Sequence, residues 1–110
     1  MTATGNLYAG LPAGDFPDEA FETLAQAGGC TVERIVSRGH ATPPGQWYDQ
    51  VQGEWVVLLR GRAGLRFADG EALDMAPGDY VWIAPRRRHR VEWTSHDQPA
   101  VWLAVHIRPA

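Results

Sequence analysis

Two residues that could do chemistry stand at the starts of two apparent β-strands, Glu54 and His89. Glu54 opens an apolar run that ends at Gly61, and His89 follows a turn that begins at Pro85. A carboxylate and an imidazole that meet inside a small β-domain can hold a divalent metal, since both are ligands of first-row metals. They can also pair with each other, because buried charges are usually paired. The residues alone leave both interpretations open.

The elements that position these residues are short segments separated by turn signals, the pattern of an all-β domain. Asp69-Gly70 is typical of a tight hairpin, and no helical period is sustained over three turns. We predict eight antiparallel strands at residues 21–26, 31–37, 54–60, 63–67, 71–75, 80–84, 89–94 and 101–107. They would form a single antiparallel β-barrel over residues 20–110, after a flexible, Gly- and Pro-rich arm over residues 1–19.

Strand alternation predicts which side chains share a face. Three groups are expected to face the interior: Glu54 with Val56 and Leu58, His89 with Val91 and Trp93, and Trp102 with Ala104 and His106. His106 is therefore a fourth metal ligand, a group for proton transfer or a satisfied core imidazole. The candidate ligand-binding residues are aromatic: Trp47, Tyr48, Trp93 and Trp102. Aromatic residues in a small barrel are more often core, which is the alternative for this set.

Two motifs resemble those of the cupin superfamily, in particular its small single-domain bacterial members. Glu54-x6-Gly61 matches the second half of the family's first motif, G-x5-H-x-H-x3-4-E-x6-G. Gly78-x6-Pro85-x3-His89 approaches the second motif, G-x5-P-x-G-x2-H-x3-N. The resemblance covers roughly residues 21–107 and implies a double-stranded β-helix, or jelly roll. It also implies a divalent metal, Mn, Fe, Ni or Zn, and a small organic substrate.

The His-x-His pair of the family's first motif has no counterpart here. Counting back from Glu54 places it on Trp47-Tyr48-Asp49 or on Tyr48-Asp49-Gln50, and neither register contains a histidine. The predicted metal ligands are then Asp49, Gln50, Glu54 and His89. Tyr48 and His106 are the candidates for proton transfer in an enzyme of the oxygenase, isomerase or decarboxylase type. The competing hypothesis is a non-catalytic sensor or carrier of a small ligand with a degenerate metal site.

The composition and charge of the chain limit the kinds of partner that it is expected to bind. The net charge of −3 gives no electrostatic footprint for nucleic acid, and no apolar run is long enough for a transmembrane helix. Arg86-Arg87-Arg88 can bind an anionic ligand or be a solvated loop countered by carboxylates. The single Cys30 excludes an internal disulfide and, with no signal-peptide pattern, predicts a cytoplasmic protein. Apolar outward residues such as Trp55 and Val57 predict a homodimer.

Overall fold

The computed structural model describes residues 3–109 and contains eight β-strands. The first two residues of the predicted arm and the last residue of the predicted barrel domain lie outside this range. The strands are β1 (Ala20–Ala27), β2 (Cys30–Ser37), β3 (Gly53–Arg60), β4 (Ala63–Phe67), β5 (Ala72–Met75), β6 (Tyr80–Ile83), β7 (His89–Thr94) and β8 (Ala100–Ile107). Each overlaps a predicted strand, because Gly, Pro and Asp mark nearly every turn between them.

The strands form two antiparallel sheets. One has five strands in the order β1-β2-β8-β3-β6, and the other has three in the order β5-β4-β7. The prediction of an all-β jelly roll is therefore confirmed. The buried cluster draws on both sheets and comprises Val56, Leu58, Ala63, Leu65, Phe67, Met75, Ile83, Ala100, Trp102 and Ala104. Among the described residues there is no helix, and so none that is long and apolar enough to cross a membrane.

A β-bulge in β7 corrects one face assignment. Leu65 pairs with Val91 and Gly64 pairs with Trp93, so Glu92 is an extra residue on β7. Such a bulge reverses the alternation of the side chains that follow it. Trp93 is therefore 40% exposed and lies over Gly64, where an added Cβ would meet its Nε1 at 2.2 Å. The prediction that Trp93 shares the inner face of His89 and Val91 is wrong for this reason.

Residues of the N-terminal arm lie against the domain. The guanidinium of Arg34, a buried residue of β2, donates to the carbonyl oxygens of Leu7 at 3.1 Å and Ala9 at 2.6 Å. Further along, Nε2 of His40 lies 2.9 Å from the carbonyl oxygen of Phe16, and the two rings pack with centroids 4.9 Å apart. His40 is thus partly buried beneath the arm, in the loop that follows β2.

Candidate functional site

A cavity of about 120 Å³ lies between the two sheets. Its apolar walls come from both sheets and include Val56 on β3, Leu65 on β4 and Ile83 on β6. The remaining lining residues are Glu19, Phe21, Glu33, Ile35, Tyr48, Gln50, Glu54, His89, Val91, Trp102 and His106. The cavity therefore combines a hydrocarbon surface with a small set of polar side chains, which is the usual composition of a small-molecule site.

Strand register brings Glu54 and His106 together. Glu54 of β3 pairs directly with His106 of β8, so the two side chains point to the same face of the sheet. His89, the first residue of β7, approaches from the opposite sheet and pairs through its backbone with Tyr48. Its amide donates to the Tyr48 carbonyl at 3.1 Å and its carbonyl accepts from the Tyr48 amide at 2.7 Å. Both sheets are thus required to assemble the cluster.

Four ionisable side chains form a continuous series across the cavity. Nε2 of His89 lies 3.5 Å from one carboxylate oxygen of Glu54, and Nε2 of His106 lies 3.8 Å from the other. The same nitrogen of His106 lies 3.5 Å from a carboxylate oxygen of Glu33. His89 and Glu54 are buried, with 5% and 8% of their surface exposed. We name Glu33, Glu54, His89 and His106 the acid–imidazole cluster.

The orientation of the His89 ring is fixed by a backbone carbonyl. Nδ1 of His89 lies 2.9 Å from the carbonyl oxygen of Arg87, which can only accept a hydrogen bond. Nδ1 therefore carries the proton. In a neutral ring Nε2 then presents a lone pair to the Glu54 carboxylate, and two acceptors repel each other. The contact is favourable when His89 is protonated or when another group donates to both atoms.

Tyr48 and Gln50 line the cavity, whereas Trp47 and Asp49 do not. Of the two registers considered for the missing His-x-His pair, the structure therefore has Tyr48 and Gln50 facing inward. Burial raises the pKa of the Tyr48 phenol, and the negative charges of Glu19, Glu54 and Glu33 raise it further. The phenol consequently stays protonated at neutral pH and is a hydrogen-bond donor.

Several lining groups lack hydrogen-bond partners within residues 3–109. These atoms are Oε1 of Gln50, Nε1 of Trp102 and Nδ1 of His106. Trp102 is only 4% exposed, so water at the protein surface does not reach most of its indole. An unsatisfied buried polar atom costs about 1–3 kcal/mol, which makes these atoms natural contacts for a molecule in the cavity.

The arginine run does not reach the cavity. Arg86 lies 3.3 Å from the carboxylate of Asp49, and Arg87 lies 3.4 Å from Asp69 and 2.5 Å from Glu71. The Arg87 guanidinium also stacks over the Phe67 ring, 3.7 Å from its centroid. Within the described part of the chain, no arginine lines the cavity. For Arg86 and Arg87, the pairing matches the expectation of a loop countered by carboxylates.

Two carboxylates of the cavity were not identified from the sequence. Glu33 lies on β2 two residues before Ile35, and both line the cavity, so strand alternation in β2 is a signal that identifies it. Glu19 immediately precedes β1 and accepts a hydrogen bond from the hydroxyl of Ser37. It falls in the arm, for which the sequence carries no periodic pattern.

The side chains do not fit the predicted metal site. No group of three or more His, Cys, Asp or Glu side chains among residues 3–109 is arranged to hold a metal ion. His89 and His106 approach different oxygens of Glu54, at 3.5 Å and 3.8 Å. Asp49, a predicted ligand, is about half exposed and pairs with Arg86 outside the cavity.

Comparison with known proteins places the fold in a family. The family model described as the cupin domain matches residues 34–106. The chain belongs to the cupin family. This cupin is 45% identical to a protein from Ralstonia eutropha JMP134 named a "putative mannose-6-phosphate isomerase", with a TM-score of 0.91 over 96% of this chain and 98% of that one. No curated protein matches the sequence.

More distant structures share the fold alone. A cupin superfamily protein from Desulfitobacterium hafniense DCB-2 is 14% identical to this cupin, with a TM-score of 0.77 over 99% of this chain and 94% of that one. The polyketide cyclase RemF from Streptomyces resistomycificus is 20% identical, with a TM-score of 0.69 over 83% of this chain and 66% of that one. These likenesses support the architecture and carry no reaction to this chain, because fold does not fix function.

Proposed function

We propose that this cupin binds a small organic molecule in the cavity between its sheets, with Glu54 as the central polar contact. The observation that carries the proposal is a buried carboxylate that contacts two imidazoles within an otherwise largely apolar cavity. Burial of the Glu54 carboxylate and the His89 imidazole is costly unless they are paired or serve a ligand. The apolar walls supply the remainder of a binding site, since they favour the hydrocarbon part of a ligand.

The chemistry available to the acid–imidazole cluster is proton transfer. His89, His106, Glu33 and Glu54 can each hold or release a proton, and Tyr48 adds a protonated phenol. The Ralstonia neighbour is named an isomerase, and isomerisation of a sugar moves a proton between carbon atoms. The cluster therefore supports an enzyme of the isomerase type more directly than an oxygenase. Its competitor is the non-catalytic carrier.

A pair of acid-to-amide variants tests binding. Glu54→Gln removes the central charge with little change in shape, and Asp49→Asn makes the same change at an exposed carboxylate outside the cavity. A library of small molecules is screened by ligand-observed NMR, and hits are measured by calorimetry. We expect hits whose Kd rises about tenfold or more in Glu54→Gln, equivalent to about 1.4 kcal/mol, and is unchanged in Asp49→Asn.

Two outcomes would contradict the proposed binding site. Hits would bind both variants with the Kd of wild type, or a folded wild-type protein would yield no hits. A confirmed ligand also decides between enzyme and carrier. In D2O, an enzyme of the proposed type exchanges a carbon-bound hydrogen of the ligand for deuterium, and Glu54→Gln slows that exchange. A carrier binds the same ligand without exchange.

Metal content is a separate measurement. Because no group of three or more His, Cys, Asp or Glu side chains among residues 3–109 is arranged to hold a metal ion, we expect protein purified without chelator or affinity tag to retain well under one Mn, Fe, Ni or Zn ion per chain. Elemental analysis of wild type beside the Glu54→Gln/His89→Ala double variant tests this. Near-stoichiometric metal in wild type that disappears from the folded double variant would instead place a metal at Glu54 and His89.

A further inference from the structure

We propose that the ligand of this cavity is a small organic cation that also carries a neutral hydrogen-bond acceptor. The inference rests on the proposed small-molecule function and specifies the charge of the ligand. It depends on two independent features of the lining, its net charge and its unpartnered polar atoms.

The ionisable side chains of the lining leave an excess of negative charge. The lining contains three carboxylates, Glu19, Glu33 and Glu54, and two imidazoles, His89 and His106. No arginine contributes within the described residues, and the sequence has no lysine. With both imidazoles neutral the lining carries three negative charges, and with both protonated it still carries one. The excess thus persists in every protonation state of the histidines that keeps the carboxylates ionised.

Local hydrogen bonds do not cancel this excess. Glu19 accepts from the Ser37 hydroxyl, a neutral group that stabilises the carboxylate without adding positive charge. Glu33 lies near the imidazole of His106 alone, and Glu54 lies near the imidazoles of both His89 and His106, so the two imidazoles stand against three carboxylates. The nearby guanidinium groups of Arg86 and Arg87 are already paired with Asp49, Asp69 and Glu71 outside the cavity. A cation inside the cavity would balance this charge.

The unpartnered atoms show that the occupant must do more than neutralise charge. Oε1 of Gln50 is an acceptor and needs a donor such as an ammonium N–H or a hydroxyl. Nε1 of Trp102 is a donor only, and this indole lines the cavity with 4% of the residue exposed. It needs an acceptor on the ligand, for example a hydroxyl or ether oxygen. An acidic cluster alone would not require that second group.

The aromatic lining favours the same ligand. Phe21, Tyr48 and Trp102 line the cavity, and an organic cation over an aromatic face is attracted by the negative charge of the ring face. A phosphorylated sugar has the opposite charge. Its phosphate would enter a cavity with carboxylates and without a guanidinium, where burial of an unpaired anion is strongly unfavourable. The charge of the lining therefore separates this cavity from the substrate named for the Ralstonia neighbour.

Three probes test the inference on the full chain in the presence of a chelator. Choline is a small cation with a hydroxyl, neohexyl alcohol is its uncharged carbon isostere, and mannose 6-phosphate is an anion. Calorimetry and ligand-observed NMR give their Kd values. We expect choline to bind at least about tenfold more tightly than neohexyl alcohol. We also expect Glu33→Gln to weaken choline about tenfold or more while leaving the alcohol unchanged, with Asp49→Asn as the matched control.

Each other outcome overturns the inference and is distinguishable from failure of the proposed function. Equal binding of choline and neohexyl alcohol, or binding of mannose 6-phosphate that Glu54→Gln alters, removes the cationic ligand but keeps a small-molecule site. Failure of choline to bind the folded wild-type protein also removes it. Only when the broader library yields no ligand that depends on Glu54 does the proposed function fail as well.

Discussion

The two carboxylate oxygens of Glu54 face different imidazoles, Nε2 of His89 at 3.5 Å and Nε2 of His106 at 3.8 Å. The Arg87 carbonyl fixes the tautomer of His89, whereas Nδ1 of His106 has no partner within the described residues. The two rings are therefore not equivalent. His106 can change tautomer or accept a hydrogen bond from a ligand, and His89 is held as a donor to the backbone.

Ionisation of the Tyr48 phenol predicts how the stability of the fold depends on pH. Burial and the charges of Glu19, Glu54 and Glu33 raise the pKa of its phenol above the ordinary tyrosine value of 10.0. The folded state then binds this proton more tightly than the unfolded state, so stability is lost as pH rises through about 10. Tyr48→Phe should remove that part of the alkaline loss. Urea unfolding at about pH 8 and about pH 11 measures it.

An absorbance titration of the folded protein tests the raised pKa of Tyr48 directly. The absorbance difference between wild type and Tyr48→Phe should show a phenol that ionises above pH 10.0. Glu54→Gln should lower its midpoint, because one of the negative charges that raise the pKa is removed. An unchanged midpoint in Glu54→Gln would separate Tyr48 from the acid–imidazole cluster.

Arg86 adopts a left-handed backbone conformation in the turn before His89. Its φ of 65° is the only positive value recorded for a non-glycine residue between positions 3 and 109. Such a conformation costs about 1–2 kcal/mol of stability. The exposed ion pair with Asp49 stabilises the fold by less than about 1 kcal/mol. We expect Arg86→Gly to be neutral or to stabilise the fold by up to about 1 kcal/mol, measured by chemical denaturation.

Arg87→Gly is the matched control for this prediction. Arg87 has no positive φ, and it contacts Asp69, Glu71 and the Phe67 ring. Its replacement should therefore destabilise the fold. If Arg86→Gly is the more destabilising of the two variants, the strain assigned to the Arg86 backbone is wrong.

At the scale of the element, the turn between β3 and β4 requires glycine at position 61. Gly61 has a φ of 81°, and an added Cβ would lie 2.6 Å from the carbonyl oxygen of Pro99 and 2.8 Å from Cα of Ala100. Gly70, in the β4–β5 hairpin, has a φ of 102° but open space around the same position. Both glycines therefore have a positive φ, but only at Gly61 would an added Cβ clash with neighbouring atoms.

We therefore expect Gly61→Ala to cost more stability than Gly70→Ala. Gly70→Ala should lower the free energy of unfolding by about 1–2 kcal/mol, because alanine is unfavourable in the left-handed conformation. Gly61→Ala has the same cost and adds a clash with backbone atoms. Denaturant midpoints of the two variants provide the measurement. Equal losses would show that the β3–β4 turn relaxes away from Pro99 without cost.

The same elements show how far the sequence predicts the structure. All eight strands were predicted because turn residues and apolar alternation are local signals. The bulge at Glu92 was not, since one inserted residue leaves no local signature, and it moved Trp93 to the outer face. Glu54, His89 and His106 were identified as candidates, but the distances within the cluster depend on β3–β8 pairing between distant segments. Glu19 was not identified because the sequence of the arm has no periodic pattern of apolar and polar residues.

At the scale of the whole molecule, the outer face of the five-stranded sheet carries aromatic residues. Trp82 is 47% exposed and Tyr80 is 67% exposed, and Trp82 pairs with Trp55 across the β3–β6 ladder. Tyr80 packs beside Trp55 with ring centroids 5.6 Å apart. Exposed aromatic residues are enriched at protein interfaces. The homodimer and the cytoplasmic location remain predictions, and this face is where we expect the dimer contact.

Sedimentation at tens of micromolar protein tests the dimer. We expect wild type to sediment at twice the chain mass of 12.1 kDa and Trp82→Glu to shift toward monomer. Trp93→Glu is the matched control, because Trp93 is similarly exposed but lies on the other sheet. A monomeric wild type, or equal dissociation of both variants, would contradict this assignment.

The division of the tryptophans between the two sides of the sheets makes the protein its own optical probe. Of the five, Trp102 alone lines the cavity, while Trp82 and Trp93 each lie over a glycine at the outer surface. Fluorescence of an indole depends on the polarity and hydrogen bonding of its surroundings. Light emitted by Trp102 therefore carries information about what fills the cavity, and light from the outer indoles carries information about solvent and neighbouring molecules.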